Sequence, residues 1–275
     1  MTVLLGASHL DKTYRRQALI RSHAPRQVLF DINLEVRAGE SLAILGRSGS
    51  GKSTLMRQLL GIETPSAGQV LFEGRDLATL DRSGWQHFRR SVQMVFQDSI
   101  GAVSPRQRIG RIIAEPLRHL SVLTAAEREH RVEQLLTAVG LKPSDALKRP
   151  GQMSGGQLQR VCIARALATQ PRLLVLDEAV SNLDLTMQAQ IIELIAHLRA
   201  DSGMAVVFIP HDLRVVRLLC ERVIVLHHGR IVEEGPVDRQ LRLSSAEGRL
   251  LQSAILPPRP KTIVQSQNMP NPAMR

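Results

Sequence analysis

Gly46-Arg47-Ser48-Gly49-Ser50-Gly51-Lys52-Ser53 fits the spacing G-x-x-x-x-G-K-[ST], which suits the phosphates of a nucleotide. Glycines let successive backbone N–H groups turn toward phosphate oxygens. The helix predicted over Thr54–Leu60 adds its positive N-terminal end, with Thr54 at its start. Lys52 supplies a point charge to the β- and γ-phosphates, and the Ser53 hydroxyl suits Mg²⁺. A mere glycine-rich turn would need neither the lysine nor a strand before and a helix behind.

Asp177-Glu178 follows the apolar run Leu173–Leu176, which places two carboxylates at the C-terminal end of a buried strand, where ligands of α/β sheets collect. Asp177 can hold Mg²⁺ there through water, and Glu178 suits the general base that faces a water attacking a γ-phosphate. Two acids ending a strand are more often a turn or a helix cap, but the phosphate loop in the same chain reverses that preference. Ser154-Gly155-Gly156-Gln157 opens a helical pattern running to Leu167 and offers a hydroxyl and N–H groups at a second helix start.

The elements that must position these groups are legible as patterns. Val28–Val36, Ser41–Leu45 and Gln69–Phe72 read as strands, so the chain up to about Leu80 is predicted to be a sheet-rich lobe. From Ser99 to Met153 the β-branched runs thin out, and Ala125–Val139 carries helical spacing at Val132, Leu135, Leu136 and Val139. Leu173–Leu176 and Ala205–Ile209, separated by the helical run Gln188–Leu198, give the strand-helix-strand layout of a buried parallel sheet, so the fold class is α/β. Beyond Leu241 the composition changes, and Pro257, Pro258, Pro260, Pro270 and Pro272 predict a loosely ordered tail.

The 275 residues, 43% of them hydrophobic, suffice for a large core and exclude general disorder. No apolar run approaches the roughly 20 residues that span a bilayer, and the N-terminus lacks the pattern of a secretory signal, so a cytoplasmic location is expected. Cys162 and Cys220 read as buried thiols, and His227-His228 beside Gly229-Arg230 reads as a turn rather than a metal site. The net charge of +11 favours anionic partners without choosing among nucleotide, nucleic acid and lipid.

Met153-Ser154-Gly155-Gly156-Gln157, with Leu158-Gln159-Arg160, resembles the LSGGQ signature of the ABC ATPase superfamily. The resemblance covers about Leu4 to Gly235. It implies a cassette with a P-loop RecA-like core, an antiparallel β lobe and an inserted helical subdomain. On this reading residues 1–240 form one domain, with the insert at about 99–155 and a tail at 241–275. It further implies that two cassettes pack head to tail, each ATP lying between one subunit's phosphate loop and the other's signature. Tyr14 resembles the aromatic that stacks on adenine, Gln97 the glutamine that senses Mg²⁺ and nucleotide, Asp184 the loop joining the two sites, and His211 the switch histidine at the γ-phosphate. Ala179 and Pro210 depart from the residues common at those positions in the family.

Val95-Phe96-Gln97-Asp98-Ser99, Glu115-Pro116-Leu117-Arg118-His119 and the stretch Asp177 to Asp184 resemble the oligopeptide, dipeptide and nickel importer branch. The short C-terminal region without a cysteine cluster favours nickel over peptide. The branch implies a second homologous ATPase subunit, two transmembrane permease subunits and, functionally, a solute-binding protein. It places the chain peripherally on the cytoplasmic face of the bacterial inner membrane, with no nucleic-acid partner. Ser99 to Leu120 is expected to line the groove that receives helices from the permeases. The competing readings are a peptide importer ATPase, a soluble ABC ATPase whose basic charge serves phosphate contacts, and a cassette that binds ATP without turnover.

Overall fold

The computed structural model describes residues 2–15, 24–96, 98, 101–179, 185–210, 212–238 and 240–253. Val3–Tyr14 (β1) and Arg26–Arg37 (β2) pair antiparallel, Ser41–Leu45 (β3) follows, and the chain then enters the helix Lys52–Leu59 (α1). Ala67–Phe72 (β4) and Arg75–Asp76 (β5) complete an antiparallel sheet in the order β2-β1-β4-β5. Next come Arg82–Ser91 (α2), Val92–Val95 (β6), Ile109–Leu120 (α3), Ala125–Ala138 (α4) and Gly155–Leu167 (α5). Leu173–Asp177 (β7), Leu185–Ser202 (α6), Ala205–Ile209 (β8), Leu213–Leu219 (α7), Arg222–His227 (β9), Arg230–Pro236 (β10) and Ala246–Ser253 (α8) finish the described chain.

The second sheet runs β10-β9-β3-β8-β7-β6, parallel throughout except for the antiparallel edge strand β10. Ser41–Leu45 therefore does not belong with the lobe of its sequence neighbours. All five of its residues are buried, with none of the alternation of a half-exposed strand, because both faces of the parallel sheet are covered. The strand period of two divides the core. Leu42, Ile44, Leu173, Val175 and Val207 pack toward the antiparallel sheet and α1, while Ala43, Leu45, Leu174, Leu176 and Phe208 pack toward α3 to α7.

The helices α3, α4 and α5 bury Ile109, Ile113, Leu117, Val132, Leu136 and Leu158 among themselves. Thr124 and Glu127 cap α4 reciprocally, the Thr124 N–H donating to Glu127 Oε2 at 2.7 Å. Cys162 and Cys220 are both buried, and burial pushes the Cys220 thiol up to about 12.

The expectation of a loosely ordered tail from residue 241 is overturned for its first part. Leu241 and Leu243 are buried in the core, and Leu251 of α8 packs against it. The turn entering α8 is held by the Glu233 carboxylate, which accepts from the Ser244 and Ser245 hydroxyls at 2.9 and 2.5 Å. The apolar residues here are few but well placed, so composition understates their packing. The five prolines lie outside the described residues.

One ion pair ties the layers together. Arg222 donates to both Glu40 oxygens, at 2.5 and 3.0 Å, to Glu234 at 2.6 Å and to the Glu35 carbonyl, joining β2, β9, β10 and the residue that leads into β3. Arg222→Ala leaves the buried Glu40 carboxylate unpaired, and a loss of about 3–5 kcal/mol in urea unfolding is expected. Burial opposes the Glu40 charge, yet Arg222 and the Arg37 N–H hold its pKa below the ordinary 4.5. A lowered folded-state pKa gives stability that is full above pH 4.5 and lost as pH falls through the folded value. The deficit of Arg222→Ala is therefore expected to shrink in acid.

Candidate nucleotide site

The loop between β3 and α1 is shaped by close approaches. A side chain at Gly46 would run into the Leu226 carbonyl of β9, and Gly51 takes φ +111° where the loop enters α1. The Gly229 N–H after β9 donates to the Ser50 carbonyl at 2.8 Å, which fixes the back of the loop. Lys52 Nζ donates to the carbonyls of Gly46 and Arg47 at 2.6 and 3.1 Å, so its ammonium lies under the loop's own rim. Burial lowers the Lys52 pKa, and the charges of Glu178 and Asp177 pull it back in part.

Tyr14, residues 46–49, residues 51–54, Asp177 and Glu178 all line one cavity of about 1100 Å³. Ser50 does not line it. Its hydroxyl is buried and has no hydrogen-bond partner among the described residues. Tyr14 ends β1, and its hydroxyl donates to Glu63 Oε2 at 2.7 Å.

Asp177 is the last residue of β7, and Glu178 adopts φ +46°, a left-handed conformation that costs a non-glycine residue roughly 1–2 kcal/mol. The Glu178 N–H donates to the Ile209 carbonyl at 2.9 Å, so the β7–β8 pairing enforces this turn at the mouth of the cavity. Burial raises the Asp177 pKa and the neighbouring Glu178 raises it further, against the pull of Lys52 and Arg57. Two crowded carboxylates and the Ser53 hydroxyl, lining the same cavity as Lys52 and the phosphate loop, fit a divalent cation and an anion bound together.

Ser154, Gly155, Gly156 and Gln157 lie apart from this cavity, at the start of α5. Ser154 and Gly155 are exposed. The Gln157 N–H donates to Ser154 Oγ at 3.2 Å and the Ser154 N–H to Gln157 Oε1 at 2.9 Å, so Gln157 acts within this chain as a cap. Gln97, Asp184 and His211 lie outside the described residues.

The cavity also takes in Arg15, Arg26, Val28, Pro210 and Leu251, which sequence reasoning did not assign to it. Val28 and Arg26 open β2, and Leu251 arrives from α8. A second groove of about 470 Å³ is lined by Ile62, Met94 and Phe96 on one side and Glu115, Pro116 and His119 of α3 on the other. Ile62 and Phe96 are exposed large apolar residues. Of the stretch expected there, Glu115, Pro116, His119 and Leu120 contribute, residues 101–114 do not line the groove, and Ser99 and Ile100 lie outside the described residues.

The family model described as ABC transporter matches residues 29–181. The chain is 56% identical over 260 residues to the nickel import ATP-binding protein NikE of Rhodospirillum rubrum, covering 94% of each. It is 50% identical over 270 residues to the protein of the same name from Pseudomonas putida, covering 98% of this chain and 99% of that one. Among solved structures it is similar to the dimeric ATP-binding cassette MJ0796 in a post-hydrolysis state bound to ADP and Pi, at 29% identity and TM-score 0.76. That match covers 86% of this chain and 99% of the other. A second relative in fold is cbiO1 of Clostridium perfringens, part of the ABC transporter complex cbiONQ, at 28% identity and TM-score 0.72, covering 86% of this chain and 89% of that one.

Proposed function

Because the chain belongs to the ABC transporter family, we propose that it is the ATP-hydrolysing, energy-coupling subunit of an importer of nickel(2+). The observation that carries the ATPase part is the single cavity in which the phosphate loop, Lys52, Asp177 and Glu178 converge. The nickel part rests on the near full-length similarity to nickel import ATP-binding proteins.

The roles follow from position. Tyr14 offers a ring for the base, and the N–H groups of residues 46–53, with Lys52 and the start of α1, bind the phosphates. Ser53 and Asp177, with Gln97, would hold Mg²⁺, which when bound neutralises phosphate charge. Glu178, in the cavity wall, faces the attacking water and accepts its proton, and His211 is assigned the γ-phosphate by its resemblance to the family's switch histidine. Ser154 and the neighbouring Gly155, both exposed, together with Gly156 and Gln157, all apart from the cavity, serve the nucleotide of a second, homologous ATPase subunit, and Asp184 is assigned to the loop that joins the two sites. We read residues 1–240 as one ATPase domain with α3 and α4 in its helical insert at about 99–155.

No helix among the described residues is long and apolar enough to cross a membrane. The path for the ion belongs, on this reading, to two transmembrane permease subunits supplied by a solute-binding protein, with this chain peripheral on the cytoplasmic face of the inner membrane. The groove between Phe96 and α3 suits a short permease helix, since Ile62 and Phe96 leave apolar surface open at its mouth. ATP closes the pair of cassettes because it binds the closed state more tightly, and hydrolysis reopens it. Ile62→Asp with Phe96→Asp is expected to leave ATP binding intact and to abolish uptake, checked by co-purification with the permeases and by transport.

The functional test is uptake of radioactive nickel by cells lacking the gene. Restoration by the intact chain but not by Lys52→Ala supports the proposal. Unchanged nickel uptake together with lost dipeptide uptake transfers the same machinery to peptides.

A further inference from the structure

Tyr14 is the only tyrosine of the chain and stands at the end of β1, where a strand's last side chain has few neighbours to hold it. A cluster outside the phosphate machinery supplies the constraint. Glu63 Oε2 accepts from the Tyr14 hydroxyl at 2.7 Å and lies 3.3 Å from Lys12 Nζ. Lys12 also donates to the Thr64 carbonyl at 2.7 Å, and its ammonium sits 5.2 Å over the centre of the Tyr14 ring. Arg57 Nη1 is 3.5 Å from the other Glu63 oxygen, and Arg57 belongs to α1, the helix that begins with Lys52. The turn carrying Glu63 is itself latched to β1, the Ser66 N–H donating to the Asp11 carbonyl at 2.8 Å and the Thr13 N–H to Ser66 Oγ at 2.9 Å.

We propose that Glu63 is a positioning residue for the nucleotide base: it locks the Tyr14 ring, with Lys12 covering one face, so that the face toward the cavity is preset for stacking. This rests on the reading of Tyr14 as the base platform. The ammonium over one face makes the ring a one-sided platform, and the carboxylate links that platform to the helix that presents Lys52. Base and phosphate subsites are thereby set at a fixed separation. Partial burial opposes the Glu63 charge, but the Tyr14 hydroxyl, Lys12 and Arg57 outweigh it and keep the pKa below the ordinary carboxylate value. The clamp is accordingly in its charged form at neutral pH.

The test is calorimetric binding of ATP and of inorganic tripolyphosphate, which carries no base, to the full chain. Glu63→Ala is expected to weaken ATP roughly 2- to 10-fold, the scale of leaving one side chain to be immobilised on binding, and to leave tripolyphosphate affinity unchanged. Tyr14→Phe, which keeps the ring but loses the hydroxyl, is expected to weaken ATP in the same range. The double variant Glu63→Ala/Tyr14→Phe then adds little, and Glu63→Gln, which keeps an acceptor, recovers part of the loss. Equal weakening of ATP and tripolyphosphate would make Glu63 a structural residue and overturn the proposal. So would unchanged ATP affinity in Glu63→Ala while Tyr14→Ala weakens it, in which case the stacking reading survives. If Tyr14→Ala itself leaves ATP affinity unchanged, the stacking reading falls and the role of Glu63 with it.

Discussion

Glu178→Gln stops ATP turnover by roughly 10²–10⁴-fold and leaves ATP bound, an outcome read by phosphate release alongside equilibrium binding. The side chain lines the cavity beside the phosphate loop but supplies no positive charge to the phosphates, so its removal costs the ground state little. Its backbone is held in a left-handed turn by the hydrogen bond to Ile209, and glutamine fits that turn as well as glutamate does. What the amide lacks is a basic oxygen for the proton of the attacking water. Loss of one negative charge beside Asp177 also relieves the crowding that raises the Asp177 pKa, so nucleotide with its cation is expected to bind at least as well as before. Normal hydrolysis by Glu178→Gln would remove Glu178 from the role of base.

Lys52→Ala gives the opposite pattern, losing binding and turnover together. The ammonium sits on the carbonyls of Gly46 and Arg47 at the cavity wall, a short reach from where phosphate oxygens meet the loop. Deleting it removes one or two charge-assisted hydrogen bonds, about 1.5–3 kcal/mol each, so ATP affinity is expected to fall by at least roughly 10-fold. It also leaves Asp177 and Glu178 without the nearest compensating charge. The measurement is nucleotide binding by calorimetry, with thermal unfolding as a check that the fold persists. An unchanged affinity would contradict the placement of phosphate at this loop.

The contrast between these variants mirrors what was legible in the sequence. The phosphate loop and the Asp177-Glu178 pair are each continuous in the chain, and the strands feeding them are continuous apolar runs, so local pattern suffices to find them. The parallel sheet brings their C-terminal ends together, as strand-helix-strand alternation implies. What local pattern does not carry is contact over long separations. Glu63 meets Tyr14 across 49 residues, and Leu251 reaches the same cavity from a helix whose surroundings read as a tail. Ser41–Leu45 looks like one more strand of the lobe around it, because only its uniform burial reveals that it lies at the heart of the other sheet. Arg222 and Glu40, separated by 182 residues, gave no sequence signal for the same reason.

The central claim is that this chain's ATP hydrolysis drives nickel inward, and the most direct measurement is ATP consumption and nickel accumulation in one preparation of vesicles. These would hold the permeases, the partner ATPase and this chain, with the solute-binding protein supplied outside and ATP within. Binding protein loaded with nickel is predicted to raise both quantities together, and Glu178→Gln is predicted to suppress both. ATP hydrolysis stimulated by a dipeptide and indifferent to nickel would contradict the account.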